Sequence, residues 1–238
     1  MLIDLHNHTG WGSGDSHLDP SELVERARRW GLDGIAITEH NQLWDAEKIE
    51  MLRRRHEFTV IGGVEVDTDV GHVLVFGLRG PRRWARLPSL RELRAAVDEA
   101  DGVVVAAHPF RSSPVSAPGD GSSAGFWDEV AGRYQPRLVD AVEVHNGLAG
   151  EHQRRLAAEL ARRLDLPTTG GSDTHRLMDV AASFTVFDDE IENERDLIAA
   201  IKARRCRGGD WSSEGLPNKR VQELTSVTPG RAVGPVEE

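Results

Sequence analysis

The chain has 238 residues, of which 39% are hydrophobic and 5% aromatic, and its formal charge is −10. That length supports one substantial buried core. The charge speaks against broad attraction to nucleic acid or an anionic membrane, and the single Cys206 excludes an intramolecular disulfide and a thiolate zinc site.

In chain order, Leu2–Leu5 reads as a strand running into His6-Asn-His8. Asp19–Gly31 reads as a helix, with Asp19 as N-cap, Pro20 in the first turn and a closing Gly. Its Leu23, Val24, Ala27 and Trp30 share one face. Then come a strand at Gly34–Ile37, a helix at Asn41–Arg55, and strands at Thr59–Val66 and His72–Gly77 joined by a hairpin near Thr68–Gly71. A helix at Ser89–Ala100 and a strand at Val103–Ala106 follow. Arg111–Gly125, rich in Ser, Pro and Gly, reads as a mobile loop. Beyond it are a strand at Ala141–Val144, a helix at Glu151–Leu164, strands at Pro167–Thr169 and Ser183–Phe187, and a helix at Glu194–Arg204.

Strand and helix alternate, and the apolar runs are continuous, as suits strands covered on both faces. The expectation is one α/β domain over 1–207, a closed or distorted (β/α) barrel, with an irregular tail over 208–238. A barrel gathers its C-terminal strand ends at one mouth, whereas an open sheet spreads them along an edge. Neither a G-x-G-x-x-G nor a Walker-type sequence is present. No apolar run approaches the roughly 18–20 residues of a membrane helix, and Met1–Leu5 already belongs to the first motif, so a cytoplasmic location is expected.

The chemistry lies in the histidines, most of which follow apolar runs and sit close to a carboxylate. His6 and His8, two apart on an extended segment, point to the same side and can reach one ion. Without thiolates, ligands must come from His, Asp and Glu, a donor set that suits Zn, Mn or Fe. His56 and His152, on helices among Arg and Glu, read as solvated surface.

Asp4-Leu-His-Asn-His-Thr9, Ile37-Thr-Glu-His40, Gly63-Val-Glu65, Ala107-His-Pro109 and Gly171-Ser-Asp-Thr-His175 resemble, in order, the motifs of the PHP (polymerase and histidinol phosphatase) superfamily. The resemblance spans about residues 1–190. It implies a distorted (β/α)7 TIM-like barrel and two or three divalent ions at the strand ends. It also implies a ligand allocation. One ion takes His6, His8, Glu65 and Asp173; a second shares Glu65 and adds His72 and His108; a third takes Asp15, His40 and His175. Ions about 3.5–4 Å apart need a shared anionic oxygen, which makes Glu65 the bridge. His17 competes with Asp15 for its place. Asp4 is expected to accept a hydrogen bond from a ligand imidazole. Glu39 stands where the family usually has Asp, which puts the geometry around the third ion in question.

The stand-alone members of that family are phosphoesterases, and clustered cations suit the hydrolysis of a phosphoester. The reading is therefore a metal-dependent phosphomonoesterase acting on a small phosphorylated metabolite or nucleotide by a metal-bridging hydroxide, releasing inorganic phosphate. Arg111 and Arg176 are candidate phosphate contacts. Glu143 and His145, alternating on one strand, are expected on the same face, where either touches substrate, supplies the leaving-group proton or supports a ligand. A 3′–5′ exonuclease and a non-catalytic, metal-stabilised interaction module are the alternatives. The negative chain has no basic stripe or stacking-aromatic array for holding a strand stably.

Overall fold

The computed structural model describes residues 1–80, 82–83, 87–111, 124–135 and 137–219. The greater part of the expected loop at 111–125, and the tail beyond 219, lie outside the described residues. The first half runs β1 (Leu2–Asp4), α1 (Pro20–Trp30), β2 (Gly34–Ile37), β3 (Gln42–Leu43), α2 (Ala46–His56), β4 (Thr59–Gly62), β5 (Val64–Thr68), β6 (Gly71–Phe76) and β7 (Arg82–Arg83). The second half runs α3 (Leu90–Glu99), β8 (Val103–Ala106), α4 (Ala124–Arg133), β9 (Ala141–Asn146), α5 (Glu151–Leu164), β10 (Thr168–Gly171), β11 (Phe184–Phe187), α6 (Glu194–Lys202) and β12 (Cys206–Gly209).

The strands form two five-stranded sheets, β12-β11-β1-β2-β4 and β10-β9-β8-β6-β5, plus a small β3-β7 pair. The expectation of a closed barrel is thus met only as far as a mixed α/β domain. Parallel pairing holds for β1-β2, β2-β4, β8-β9 and β9-β10. The β5-β6, β6-β8, β1-β11 and β11-β12 pairs are antiparallel. The physical reason is the short connection: the hairpin closing at Gly71 leaves no length for a crossover, so β6 returns antiparallel to β5.

Gly63 marks where the chain leaves the first sheet for the second. A Cβ there would stand 2.5 Å from Phe76, so only glycine allows the backbone to turn so close to that ring. Two isolated bridges, His40–Glu65 and Asn7–Thr174, tie segments at the strand ends together. Both faces of the central strands are apolar. On β8, Val103 and Val105 join the cluster of Ile3, Leu5, Leu74 and Phe76, while Val104 and Ala106 face the cluster under α3 and α5. This explains the continuous runs in the sequence.

Helix ends follow local chemistry. Asp19 caps α1 by accepting from Ser21 N and Glu22 N, and Gly31 closes it at φ 101°. Ser89 and Glu92 form a capping box on α3. Four elements escape the sequence reading: α4, the short strands β3 and β7, and β12 at the start of the expected irregular tail. Beyond β12, Trp211 is buried and donates Nε1–H to Ala181 O at 2.7 Å. No helix among the described residues is long and apolar enough to cross a membrane.

Candidate metal centre

The C-terminal ends of β1, β2, β8 and β10, together with the starts of β5 and β6, bring the expected ligands together. His6 and His8 follow β1, His40 follows β2, Glu65 lies on β5, His72 on β6, His108 follows β8, and Asp173 and His175 follow β10. His6, His8, Glu65 and Asp173 are completely buried. Among these residues, Asp173 adopts φ 56° and His108 φ 27°, left-handed conformations that side chains rarely accept and that surrounding structure must enforce.

Glu65 divides its two oxygens. Oε1 faces His72 Nδ1 at 2.9 Å and His108 Nε2 at 3.0 Å. Oε2 faces His40 Nδ1 at 2.8 Å, His8 Nε2 at 3.3 Å and His6 Nε2 at 3.4 Å. Burial opposes its ionisation, but His6, His108 and His40 outweigh that and hold its pKa well below the ordinary carboxylate range. Burial likewise works against a charged His6, yet Asp173, Glu143 and Glu65 raise its pKa well above normal. Burial pushes His8 down to about 4. Asp173 is held below the usual range: burial opposes this, and His6 and His8 overcome it.

The donor set passes a test of fit. Four buried atoms have no hydrogen-bond partner: His6 Nε2, His8 Nε2, Glu65 Oε2 and Asp173 Oδ1. They face one another, each imidazole nitrogen lying 3.3 to 3.6 Å from the two carboxylate oxygens. Donors about 2.1 Å from one cation stand roughly 3.4 Å apart at tetrahedral corners. These are the four residues allocated to the first ion. His6, Glu65 and His108 form a second group of close ligand atoms, and His8, His40 and His175 a third. Asp15, itself exposed, has Oδ2 3.3 Å from His40 Nε2 and 3.2 Å from His175 Nε2, and among the described residues no ion pair brings His17 to either ring. The geometry thus favours Asp15 over His17 beside this third group.

Polar partners on the other ring nitrogens orient the imidazoles of the candidate ligands. Glu143 Oε1 lies 3.0 Å from His6 Nδ1, and its Oε2 accepts from His108 N at 2.9 Å and Asn146 Nδ2 at 3.0 Å. Ser13 Oγ lies 3.1 Å from His8 Nδ1. His72 Nε2 is 3.3 Å from Asp67 Oδ1, and Asn41 Nδ2 donates to Asp67 Oδ2 at 2.9 Å. Such partners fix ring orientation and tautomer. Sequence reasoning missed Ser13, Asp67, Asn41 and Asn146; the one available signal is that each lies within two residues of a candidate site residue (Asp15, Glu65, His40 and His145).

Several expectations are corrected. Glu143 and His145 do not share a face. The pairing of β9 with β10 skips a residue between Glu143 and His145, a bulge that reverses the alternation. Glu143 turns inward, and His145 turns to Asp210, with Nδ1 3.3 Å from Oδ2. Asp4 accepts from the backbone N–H groups of His6 (3.1 Å) and Ser172 (2.8 Å) rather than from an imidazole, and burial raises its pKa to about 7. His56 is buried on α2 beside Leu52, not solvated; His152 is exposed. Arg111 reaches the centre through Nη1, which contacts Asp173 Oδ2 and lies 3.5 Å from Asn146 Oδ1. The Arg176 side chain is 69% exposed and pairs with Asp179, so it stands apart. A cavity of about 290 Å³ opens beside His72 and His108, with Asp67, Leu87, Pro109 and Tyr134 in its walls.

Glu39 is completely buried. Burial raises its pKa, against the lowering effect of hydrogen bonds from Ser13 and Thr9. A Cβ on Gly12 would stand 2.4 Å from Glu39 Cγ, so the glycine makes room for the longer acid.

Residues 4–111 match the PHP domain family, and residues 151–206 match the PHP-associated family. A 5′-3′ exoribonuclease of Haemophilus influenzae is 29% identical over 179 residues, covering 69% of this chain and 62% of that protein. PsfC of Pseudomonas syringae PB-5123 superposes with a TM-score of 0.62 at 20% identity, covering 95% of this chain and 98% of that one. A protein assigned as a metal-dependent phosphoesterase from Bifidobacterium adolescentis gives a TM-score of 0.58 at 20% identity, covering 85% and 96%. The two structures establish likeness of fold. The chain spans only 5% to 16% of the length of the DNA polymerases it also matches.

Proposed function

The chain belongs to the PHP family, and from that premise we propose that it is a metal-dependent phosphoesterase acting on a small phosphorylated metabolite or nucleotide. The observation that carries this reading is the convergence of four unpartnered, buried ligand atoms from His6, His8, Glu65 and Asp173. Two or three divalent ions, Zn, Mn or Fe, fit the mixed imidazole and carboxylate donors. We read the two sheets as halves of a distorted barrel, a reading supported by the bridges at their strand ends.

Bound there, divalent cations supply a water of lowered pKa and neutralise charge on phosphoryl oxygens. His6, His8, Glu65 and Asp173 hold the first, and Glu65 is shared with a second position beside His72 and His108. Asp15, His40 and His175 hold the third. Arg111, anchored by Asp173 and Asn146, presents its guanidinium to a phosphate oxygen. The cavity beside His72 and His108 receives the organic part of the ester. Its volume suits a small substrate, and Leu87, Pro109 and Tyr134 offer that part apolar contact.

The test is phosphate release from a panel of phosphomonoesters by protein of known metal content. Loss on chelation and recovery with Zn²⁺ or Mn²⁺ is the expected result. Mononucleotides released instead from the end of an oligonucleotide would favour an exonuclease-like phosphodiesterase, a reading to which the Haemophilus relative lends weight. Tight metal binding with no hydrolysis of any ester would leave the interaction module.

A further inference from the structure

We propose that Glu39 sets the tautomer of His8 through Ser13, and so decides whether His8 can hold a cation. This relay rests on the metal-binding reading above and is set by donors and acceptors. Glu39 is a buried acceptor surrounded by donors. Thr9 N lies 3.0 Å from Oε2 and 3.2 Å from Oε1, the Thr9 hydroxyl donates to Oε1, and Ser13 Oγ lies 2.5 Å from Oε2.

Ser13 has one hydroxyl proton and two lone pairs. The carboxylate takes the proton. His40 N–H, 3.2 Å away, takes one lone pair. The remaining lone pair faces His8 Nδ1 at 3.1 Å, so that nitrogen must carry the proton. His8 Nε2 is then left with a bare lone pair, and it is this buried, unpartnered atom that faces Glu65 and Asp173. His8 also belongs to the group with His40 and His175. Glu39 therefore acts on two ion positions without touching either; it is a positioning residue.

Gly12 belongs to the same device. Any side chain there would overlap Glu39 Cγ and Cδ, at 2.4 and 2.7 Å, and push the carboxylate off Ser13. The longer acid and the glycine facing it form a matched pair, so Glu39 is no lapse in the motif.

Glu39→Met keeps the length of the side chain and removes both acceptor oxygens. The Ser13 hydroxyl, its acceptor gone, turns its proton to His8 Nδ1, which favours the Nε2–H tautomer that cannot ligate. The experiment records ¹⁵N imidazole spectra of the metal-free chain, followed by calorimetric titration with Zn²⁺. Wild type should show His8 as Nδ1–H. Glu39→Met should shift it toward Nε2–H and weaken Zn²⁺ binding by about 10–100-fold, the scale on which partners of ligand histidines act. His17→Ala, at an exposed position, should change neither. A Glu39→Met chain that keeps Nδ1–H, or binds Zn²⁺ with wild-type affinity, overturns the proposal. If Glu39→Met does not fold, Ser13→Ala serves: unchanged Zn²⁺ affinity there overturns it equally. Failure of wild type to bind Zn²⁺ at all would sink the functional reading, while the tautomer spectra would still judge the relay.

Discussion

Glu143 stands with Oε1 3.0 Å from His6 Nδ1, and its other oxygen receives the backbone N–H of His108 at 2.9 Å. One buried carboxylate thus orients the His6 ring and fixes the backbone of His108. It leaves His6 Nε2 free to face Glu65 and Asp173.

Glu143→Ala should therefore weaken metal binding by about 10–100-fold although no ligand has been removed. Competition for Zn²⁺ against a chromophoric chelator measures it directly. Wild-type affinity would mean that packing alone holds the His6 ring.

Glu65→Ala removes the one carboxylate whose two oxygens face five imidazoles. Hydrolysis should vanish and the equivalents of metal bound should fall. The fold should persist by far-ultraviolet circular dichroism, because a side chain at the strand ends adds little to the apolar clusters. Full turnover in this variant would remove the shared-carboxylate arrangement.

Arg111→Ala takes away the guanidinium held by Asp173 and Asn146. A hydrogen bond to a charged group contributes about 1.5–3 kcal/mol, so kcat/KM for a phosphomonoester should fall by roughly 10–100-fold. Arg111→Lys should recover only part of this, since an ammonium lacks the planar fork. An Arg111→Ala enzyme with unchanged kcat/KM would return Arg111 to the surface.

Most of the candidate ligands are legible because they follow or end an apolar run, and a strand end is where a parallel β/α arrangement puts its chemistry; His72, which begins its run, and Asp15, in a loop, carry no such signal. The pairing was less so. The hairpin near Thr68–Gly71 signalled the antiparallel β5-β6 pair, but nothing local in Val103–Ala106 or Gly71–Phe76 tells that β6 and β8 also run antiparallel, since both faces are apolar either way. Glu143 and His145 were misjudged together because alternation holds only for a regular ladder, and the bulge depends on β10. His56 looked solvated among its arginines, but it lies one turn from Leu52 on the inward face of α2. The start of β12 at Cys206-Arg-Gly-Gly209 has no β-branched residue to signal a strand; its pairing with β11 makes it one. Ser13 and Asn146 acquired their roles only when distant strands met.

His145 offers a pH dependence separable from the metal. Burial lowers its pKa, and Asp210 opposes this only in part. A histidine whose folded pKa lies below its unfolded value of about 6.5 is protonated first in the unfolded chain. Its contribution to stability is complete above that value and is lost as pH falls toward the folded pKa. The melting temperature should therefore drop more between pH 7.5 and pH 5 in wild type than in His145→Gln, both measured with metal chelated. Equal drops would show that His145 titrates alike in both states.

Gly171 joins β10 to the Ser172-Asp173 turn, and there the backbone passes directly under His6. A Cβ at this position would lie 2.4 Å from His6 Cβ, 2.8 Å from His6 N and 3.0 Å from Glu143 Oε1. The two nearest are the Cβ and backbone N of His6 rather than the far end of a side chain, so either the segment after β1 or β10 must move. Gly171→Ala should cost about 1–3 kcal/mol of stability, the range for overpacking. It should also lower Zn²⁺ affinity, because displacing His6 separates its Nε2 from Asp173 Oδ1, now 3.6 Å away. Urea unfolding of the chelated protein and calorimetric titration read the two effects separately. Lost stability with intact affinity would mean that the shift is absorbed by β10, away from the ligands. Lost affinity with intact stability would place the movement at His6 itself.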